Sequence, residues 1–432
     1  MNAGADPRPD PRRRRRLALG FGGLALFLLI LALSLRVALR PEHLTGLLLA
    51  RVGDALGLEI RTDGIGEYQL AGSPRLVVRD LVAREPGGEA ILRAGRIAIA
   101  VPWSTIRSRG ALLEARRVEI DDAALDLPAL QAWLAKRPPG ETRIPTLTEG
   151  LRIRRSRIEA GGWAIDGLSV ALPRLFPDRP VAGHLRGRYL DAPLSVGFDL
   201  QAAMTRPASG AGLGLAGGII AAGDGWRVPA RLRFSGPLQL GGGVLEIAPA
   251  RLALAARYES RDTRLPFALG LNAPLRFADG HLRLAPVFIA LRGDGAMPTL
   301  DARGAVMLGT RLDLAMEGRL AAWNDAWPAL PPPLGQSDSP LPFRIDYVGN
   351  SDGSDLAWLR LHRDEAGFDG RFRLPALLDW IGAKPGRSPL PPLDGRAIAP
   401  RMEVSGALLE GVEIEIDDPA IEGATDAAGP AP

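Results

Sequence analysis

The chain contains no cysteine, few histidines and few aromatic residues. Its 432 residues include 0 Cys and 4 His, and aromatic residues make up 5%. The absence of cysteine excludes disulfides, thiolate zinc sites, iron–sulfur clusters and thiol catalysis. The low aromatic content disfavours the stacking platforms that bind single-stranded nucleic acid. We therefore expect no nucleic-acid partner.

Positive charge is concentrated at the amino terminus. The net charge is +4, yet residues 1–16 hold six Arg against two Asp, so the remainder of the chain has no net charge. A terminal cluster of this kind is typical of a topology signal rather than a binding face. The residues predicted to carry that signal are Arg12, Arg13, Arg14, Arg15 and Arg16.

Residues 17–35 form an uncharged run, LALGFGGLALFLLILALSL, between Arg16 and Arg36. As a helix rising ~1.5 Å per residue it is about 28 Å long, close to the hydrocarbon thickness of a bilayer. A cleaved signal peptide is the alternative, although the run exceeds the usual apolar core of about 7–15 residues. The positive-inside rule predicts a single-pass bacterial inner-membrane protein with a cytoplasmic stub, 1–16, and a periplasmic body.

The body begins with a predicted amphipathic helix over residues 41–58. Its apolar residues recur at helical spacing and Gly57 lies near its end. Further short helices are predicted at 128–136 and 374–381.

Elsewhere the apolar pattern has a period of two. Val228, Leu232 and Phe234 alternate with Arg231 and Arg233, and residues 306–317 and 412–417 repeat the pattern. One apolar and one charged face are typical of antiparallel strands. Glycine-containing pairs at 87–88, 161–162, 166–167, 279–280 and 369–370 predict the turns.

One internal repeat is present in this β region. Residues 227–256 and 264–293 share eleven identities over thirty positions at an offset of 37, including the pair Gly243 and Gly280. A true repeat predicts an elongated array of strand units. Similar composition in two β meanders is the alternative explanation.

Motifs for catalysis or metal binding are weak throughout the sequence. The four His form no HExxH pattern, and the sequence has neither a Walker loop nor a GxSxG elbow. Residues 212–217 match GxGxxG inside a β pattern, and residues 362–364 (HRD) lack the Asn of a kinase loop. Asn350, Asp352 and Ser354 are predicted to form a turn rather than a calcium loop. The pair Asp121-Asp122 is predicted to lie at a solvated strand end. We expect no enzyme activity, cofactor or metal.

The apolar strand faces remain as the candidate site. A long sheet can fill its interior with its own side chains or leave a groove for an apolar ligand. An arginine-rimmed groove of aliphatic side chains suits acyl chains with phosphate headgroups. The groove candidates are Val228, Leu232, Phe234, Leu269, Leu271, Leu282, Leu284, Val306, Leu308, Leu312, Leu314 and Met316.

Three consecutive patterns after the anchor resemble the AsmA-like family. They are a G-x-P-x-L-x-L-x-D-like run, an a-x-x-i-x-v-x-v-x-w-like run and a g-x-l-x-i-x-x-v-x-l-d-like run. The residues that carry them are Gly72, Pro74, Leu76, Val78 and Asp80; Ala94, Ile97, Ile99, Val101 and Trp103; and Gly110, Leu112, Val118, Ile120 and Asp121. The resemblance covers most of the chain. It is strongest over residues 15–130 and again after 265, and residues 140–225 carry little of it.

The resemblance implies a mainly β fold: an elongated, curled antiparallel sheet with a hydrophobic groove, after one transmembrane helix and a short amphipathic helix. It implies a non-enzymatic role in phospholipid delivery and outer-membrane integrity, with envelope proteins as possible partners. A filled scaffold for outer-membrane protein assembly is the alternative. The expected regions are 59–225 (AsmA-like β region), 226–420 (repeated β-groove region) and 421–432 (disordered tail).

Overall fold

The computed structural model describes residues 57–64, 68–69, 74–107, 114–136, 144–241, 243–261, 263–327, 330, 334–351, 353–381, 392–404, 406–418 and 421. The predicted stub 1–16 and transmembrane helix 17–35 lie outside this range. So do the predicted helix 41–58, apart from its last two residues, and the predicted tail, apart from residue 421. The described chain is mainly β, as the period-two pattern predicts.

The chain divides into two units within strand β14 (Val244–Ser260). Unit 1 contains all the strands before β14, the first residues of β14 as far as Ile247, and Glu259–Arg261. Unit 2 holds Ala248–Tyr258 of β14 and every later element. The division lies after the predicted boundary at 225/226.

Unit 1 contains thirteen strands and two helices in its described part. In chain order these elements are β1 (Glu59–Gly64), β2 (Tyr68–Gln69), β3 (Arg75–Arg84), β4 (Ala90–Ala100), α1 (Trp103–Arg107), β5 (Glu114–Ala115), β6 (Arg117–Asp126), α2 (Leu127–Ala135), β7 (Thr146–Leu147), β8 (Leu151–Ala160), β9 (Trp163–Leu172), β10 (Val181–Asp191), β11 (Leu194–Met204), β12 (Ala211–Gly223) and β13 (Trp226–Gly241). Strands β8 to β13 pair in chain order and antiparallel.

Two strand pairs of unit 1 depart from the antiparallel expectation. Strand β6 pairs antiparallel with β4 but parallel with β8, and the short strands β5 and β7 also pair parallel. The physical reason is helix α2, which lies between β6 and β8 in the chain. A crossover of this kind returns the chain to the same end of the sheet, so the next strand runs parallel.

Helix α2 confirms the prediction of a short helix near residues 128–136. It begins after Asp126, whose side chain accepts a hydrogen bond from the backbone N of Ala129 at 2.7 Å. This cap satisfies one of the free donors at a helix start, and proline at the beginning fits the same position. Leu130 and Trp133 are buried in a cluster with Ile91 of β4.

Unit 2 consists mainly of antiparallel strands that pair in chain order. After β14 its described elements are β15 (Thr263–Ala278), β16 (His281–Gly293), β17 (Leu300–Leu308), β18 (Leu312–Leu320), a 3-10 turn (Leu334–Gln336), β19 (Leu341–Gly349), β20 (Leu356–Arg363), β21 (Ala366–Arg373), α3 (Leu374–Ile381), β22 (Leu393–Val404) and β23 (Ala407–Ile416). Each strand from β15 to β23 pairs with the next. Helix α3 matches the predicted bounds 374–381.

The structure supports the repeat at the level of its strands. Strands β13 and β15 begin at Trp226 and Thr263, and the strands that follow begin at Val244 and His281, so both starts keep the offset of 37. The matched turn glycines Gly243 and Gly280 have φ of 80° and 78°. That conformation costs little only for glycine, which accounts for its presence at both turns.

Three of the five predicted glycine turns are confirmed, at 87–88, 161–162 and 279–280. The prediction at Asp166-Gly167 is wrong because β9 continues through it. There Gly167 has φ 61° and the register with β8 shifts between Ser156 and Ile158, so the glycine serves an irregular strand.

The prediction at Asp369-Gly370 is also wrong, because Gly370 lies inside β21. A Cβ at Gly370 would lie 2.5 Å from Cζ of Phe368 and 2.7 Å from the backbone O of Asp394. Neighbouring Gly395 on β22 would meet the same ring, with its Cβ 2.6 Å from Cζ of Phe368. Both glycines therefore make room for an aromatic ring on the sheet.

We predict that Gly370→Ala destabilises unit 2 by roughly 1–3 kcal/mol, because the added methyl overpacks against Phe368 and a fixed carbonyl. Gly367→Ala in the same strand is the control, since a Cβ there meets no atom within 4 Å. Urea unfolding followed by circular dichroism measures the difference. Equal stability of the two variants would contradict this account of Gly370.

Candidate functional site

Rows of apolar side chains from β15 to β21 lie on one face of the unit 2 sheet, called here the apolar face of unit 2. Residues directly opposite each other in an antiparallel pair share a face. The strand register aligns such residues in rows across successive strands. One row is Leu275, Leu284, Val306, Leu314, Tyr347, Ala357 and Phe372, and the next is Phe277, Leu282, Leu308 and Leu312.

Nine of the predicted groove residues lie on this face. Their exposure differs: Met316 is 6% exposed and packs with Ala273 and Val287, whereas Leu308 is 39% exposed. The other seven are partly buried. These nine are Leu269, Leu271, Leu282, Leu284, Val306, Leu308, Leu312, Leu314 and Met316.

The remaining three candidates lie on β13 in unit 1, and all three are partly buried. Leu232 is opposite Gly217, Val228 is opposite Ala221 and Phe234 is opposite Leu215, so the three share a face of β12 and β13. We call this the apolar face of unit 1. The row through Leu232 crosses nine strands: Val78, Ile97, Ile120, Ile153, Val170, Leu185, Leu200, Gly217 and Leu232.

Burial along this row falls from β3 towards β13. Ile97 on β4 is 1% exposed and Ile153 on β8 is 5% exposed, within a continuous core. Leu185, Leu200 and Leu232 on the later strands are only partly buried. Helix α2 contacts β4, β6 and β8, which are strands at the more buried end of the row. The apolar face of unit 1 thus becomes open to solvent along the sheet.

In unit 2, part of the apolar face is covered by the chain itself. Trp323, Leu330 and Leu334 come from the connection between β18 and β19 and belong to one core cluster with Leu341, which is 0% exposed. Leu377 of α3 packs against the same cluster. This region is a filled core, whereas Leu269 and Leu271 on β15 remain partly open.

The opposite face of the unit 2 sheet is charged but largely self-neutralised. An open concavity of about 690 Å³ lies there, lined by residues that include Phe288, Arg303 and Arg319. Arg303 pairs with Glu317 at 2.6 Å, and Arg360 pairs with Asp369 at 2.5 Å. Cross-strand charge pairs of this kind stabilise a sheet modestly. Sequence alternation missed the apolar members of this face, such as Phe288, which is 49% exposed.

The prediction for Asp121 is wrong: it lies inside β6 and is 8% exposed. Arg96 donates hydrogen bonds to Asp121 at 2.8 Å and to Glu119 at 3.2 Å, and Arg75 donates to Glu119 at 2.9 Å. These arginines come from β3 and β4, which sequence spacing does not place beside β6. Arginines pair with both carboxylates, so the cluster is an internal ion network rather than an acid–base pair.

Burial alone would raise the pKa of Glu119. The hydrogen bond from Arg96, together with the charges of Arg75, Arg96 and Arg117, outweighs it and lowers that pKa below its ordinary value of 4.5. Glu119 therefore stays ionised at neutral pH and holds three strands together through arginine.

The described histidines do not form a catalytic group. His184 Nε2 lies 2.5 Å from Asp199 Oδ1 in a solvent-exposed pair, and His281 hydrogen-bonds the carbonyl of Asp279. Within the described ranges, no three His, Asp or Glu side chains are arranged to hold a metal. At the predicted turn, the backbone N of Gly353 donates to the carbonyl of Asn350 at 3.1 Å and Asp355 accepts from the backbone N of Asn350 at 2.7 Å, whereas Asp352 lies outside the described residues.

The apolar faces thus carry the candidate site, and we compared the whole chain with known proteins. No family model, curated protein or solved structure matches it. The likeness to the AsmA-like family therefore stays a prediction from sequence. In the part of the chain that the structure describes, no helix has the length and apolarity needed to cross a bilayer.

Sequence analysis did not select Arg363, which is 4% exposed at the end of β20. Its Nη1 donates to the carbonyls of Leu334 at 2.8 Å and Ser337 at 2.6 Å. Its Nε and Nη2 are buried without a hydrogen-bond partner. The sequence did contain a signal for its burial, because Arg363 occupies the next position in the alternation of inward-facing residues Leu359 and Leu361 in β20.

We predict that Glu119→Gln lowers the stability of unit 1 by roughly 1–3 kcal/mol at pH 7, through loss of charge-assisted hydrogen bonds. Because the folded pKa is lowered, the unfolded state takes up the proton first, so this contribution is present above about pH 4.5 and is lost as pH falls. Urea unfolding at pH 7 and pH 3.5 measures it.

The control is Glu159→Gln, since Glu159 is 56% exposed beside Arg157 and is expected to change stability by less than about 1 kcal/mol. The difference between wild type and Glu119→Gln should shrink at pH 3.5. A pH-independent difference would show that the Glu119 charge is not responsible.

Proposed function

We propose that the chain binds phospholipid, or another lipid with acyl chains, on its apolar sheet faces. The observation that supports this most directly is the row from Leu185 to Leu232, which stays in register and partly open to solvent. Soluble proteins rarely leave contiguous apolar surface open unless it meets a ligand, a membrane or another protein.

An acyl chain is chemically suited to these faces. The row across β10 to β13 carries Leu185, Leu200, Gly217 and Leu232, so three aliphatic side chains and one glycine lie in the same row. Each CH₂ of a lipid that leaves water for such a surface gains about 0.8 kcal/mol. The exposed arginines on the opposite face, such as Arg231 and Arg233, keep that side in water.

The cellular setting of the proposal comes from the sequence. The uncharged run 17–35 and the preceding Arg cluster support a single-pass anchor in a bacterial inner membrane with a periplasmic body. With the resemblance to the AsmA-like family, this supports a non-enzymatic role in lipid transfer and outer-membrane biogenesis. The elongated, curled groove that the family implies belongs to this proposal.

A second candidate is a scaffold or assembly factor for envelope proteins whose β interior is filled by its own side chains. The core of unit 2 around Leu341, Phe368 and Phe372 favours it, because those residues are 0%, 6% and 3% exposed. The connection carrying Leu334 covers this part of the sheet. Here the candidate Leu312 packs against protein atoms, as the scaffold requires.

Site-specific photocrosslinking separates the two candidates. We predict that benzoylphenylalanine at Leu232, Leu269 or Leu312 captures phospholipid in cells, with higher yield at Leu232 and Leu269 because Leu312 lies beside the filled core. Mass spectrometry of the crosslinked protein identifies the lipid. Co-purification in mild detergent should also recover stoichiometric phospholipid.

Each position has a neighbour on the opposite face as its control, because consecutive residues in a strand point to opposite sides. These controls are Arg233, Ala268 and Asp313, all of them exposed. Lipid capture that is equal on both faces would reject lipid binding at the apolar face. Capture of protein instead of lipid at the apolar positions would favour the scaffold.

A further inference from the structure

The buried guanidinium of Arg363 stands apart from the other charges of unit 2. Arg363 is 4% exposed at the end of β20, opposite Ala366 of β21. Its alternation partners Ala357, Leu359 and Leu361 belong to the apolar cluster of this unit. The charge therefore lies on the apolar face of unit 2, in contact with the connection between β18 and β19 that carries Leu334.

The hydrogen bonds of Arg363 fix its orientation and leave one edge free. Nη1 donates to two backbone carbonyls, those of Leu334 and Ser337, at 2.8 and 2.6 Å. Nε and Nη2 are enclosed and have no hydrogen-bond partner. Nε and Nη2 lie on one edge of the guanidinium, and this edge can donate two parallel hydrogen bonds to a carboxylate or phosphate.

Among the described residues, no carboxylate is within ion-pair distance of this guanidinium. Asp364, next in the chain, is exposed and accepts a hydrogen bond from Ser339 Oγ at 3.1 Å. Carbonyl acceptors supply partial negative charge only. The charge of Arg363 helps to lower the pKa of Asp364, after the hydrogen bonds from Ser337 and Ser339, but no hydrogen bond or ion pair joins these two side chains among the described residues. The Nε–Nη2 edge is therefore buried without an anionic acceptor, which is unfavourable.

We propose that the Nε–Nη2 edge of Arg363 binds one oxyanion, the phosphate or carboxylate of an anionic amphiphile whose chains lie on the apolar face of unit 2. The inference rests on the proposed lipid-binding function and narrows it to anionic ligands. Because the edge is enclosed, the headgroup displaces side chains of the surrounding cluster on entry.

The test compares ligands that differ only in the phosphate. Dioctanoyl phosphatidic acid and dioctanoylglycerol carry the same acyl chains, and their Kd values for the full chain in mild detergent are measured by calorimetry. The wild type is expected to prefer phosphatidic acid by about ten- to hundredfold, the range of a charge-assisted bond. Arg363→Met is expected to bind both ligands equally.

Two variants serve as controls. Arg360→Met removes an exposed arginine of the same strand, whose partner is Asp369, and is expected to keep the full preference. Arg363→Lys keeps the positive charge but lacks the planar guanidinium, and it is expected to retain only part of the preference for phosphatidic acid. Arg363→Met should remain folded, since methionine is apolar and removes an unpaired charge. Circular dichroism and Tm check this.

The outcomes separate this inference from the proposed function. Equal binding of both lipids by the wild type, or a preference that survives in Arg363→Met, overturns the oxyanion site but leaves lipid binding standing. Failure of both lipids to bind removes the lipid function. If inorganic phosphate then still raises the Tm of wild type but not of Arg363→Met, the oxyanion site stands and its ligand is free phosphate. Failure of phosphate as well rejects both.

Discussion

Cross-strand register is the constraint on which the rest of this structure depends. In each paired strand the side-chain period is two, so a slip of one residue would move every apolar side chain to the charged face. Where the alternation of apolar and polar residues shifts by one position, a local irregularity in the strand compensates for the shift. Between Leu284 and Val287 on β16 the register with β17 shifts by one residue, and both residues still face Val306 and Gly304 on the same side. The apolar face persists because the irregularity corrects the phase.

A single-layer apolar face requires a cover, and the two units differ in how much of it they supply. In unit 1 the early strands form a buried core with Leu147 and Leu151, and the later strands stay partly open. In unit 2 the long connection after β18 provides Trp323 and Leu334 as an internal cover. Filled and open regions therefore coexist in one chain. The open regions fit the proposed lipid binding and the filled regions fit the proposed scaffold, because the cover is local rather than uniform.

The sequence predicted those features that depend on neighbouring residues. Alternation identified the mainly β fold and the shared face of Leu284, Val306 and Leu314, and the helices predicted at 128–136 and 374–381 correspond to α2 and α3, whereas α1 was not predicted. It could not identify the parallel pair β6–β8, because a crossover direction is a tertiary property. It misplaced Asp121 for the same reason, since the arginine that binds this residue comes from another strand. Gly370 resembled a turn, but the ring of Phe368 is what requires glycine there.

Two buried charge sites in this chain illustrate opposite solutions to the same electrostatic problem. Glu119 and Asp121 are enclosed, and Arg75, Arg96 and Arg154 from three other strands bind them, so both carboxylates have counter-charges within the fold. Arg363 is enclosed as deeply, yet only backbone carbonyls bind it. Burial removes both sites from water. Arginines bind the carboxylates of the first site directly, whereas the charge of Arg363 acts on Asp364 without a hydrogen bond and contributes less to the lowered pKa of that carboxyl than the hydrogen bonds from Ser337 and Ser339. In unit 1 the buried carboxylates have arginine partners. In unit 2 the Nε and Nη2 groups of Arg363 have no hydrogen-bond acceptor. That asymmetry is the reason to look for its anion in a ligand.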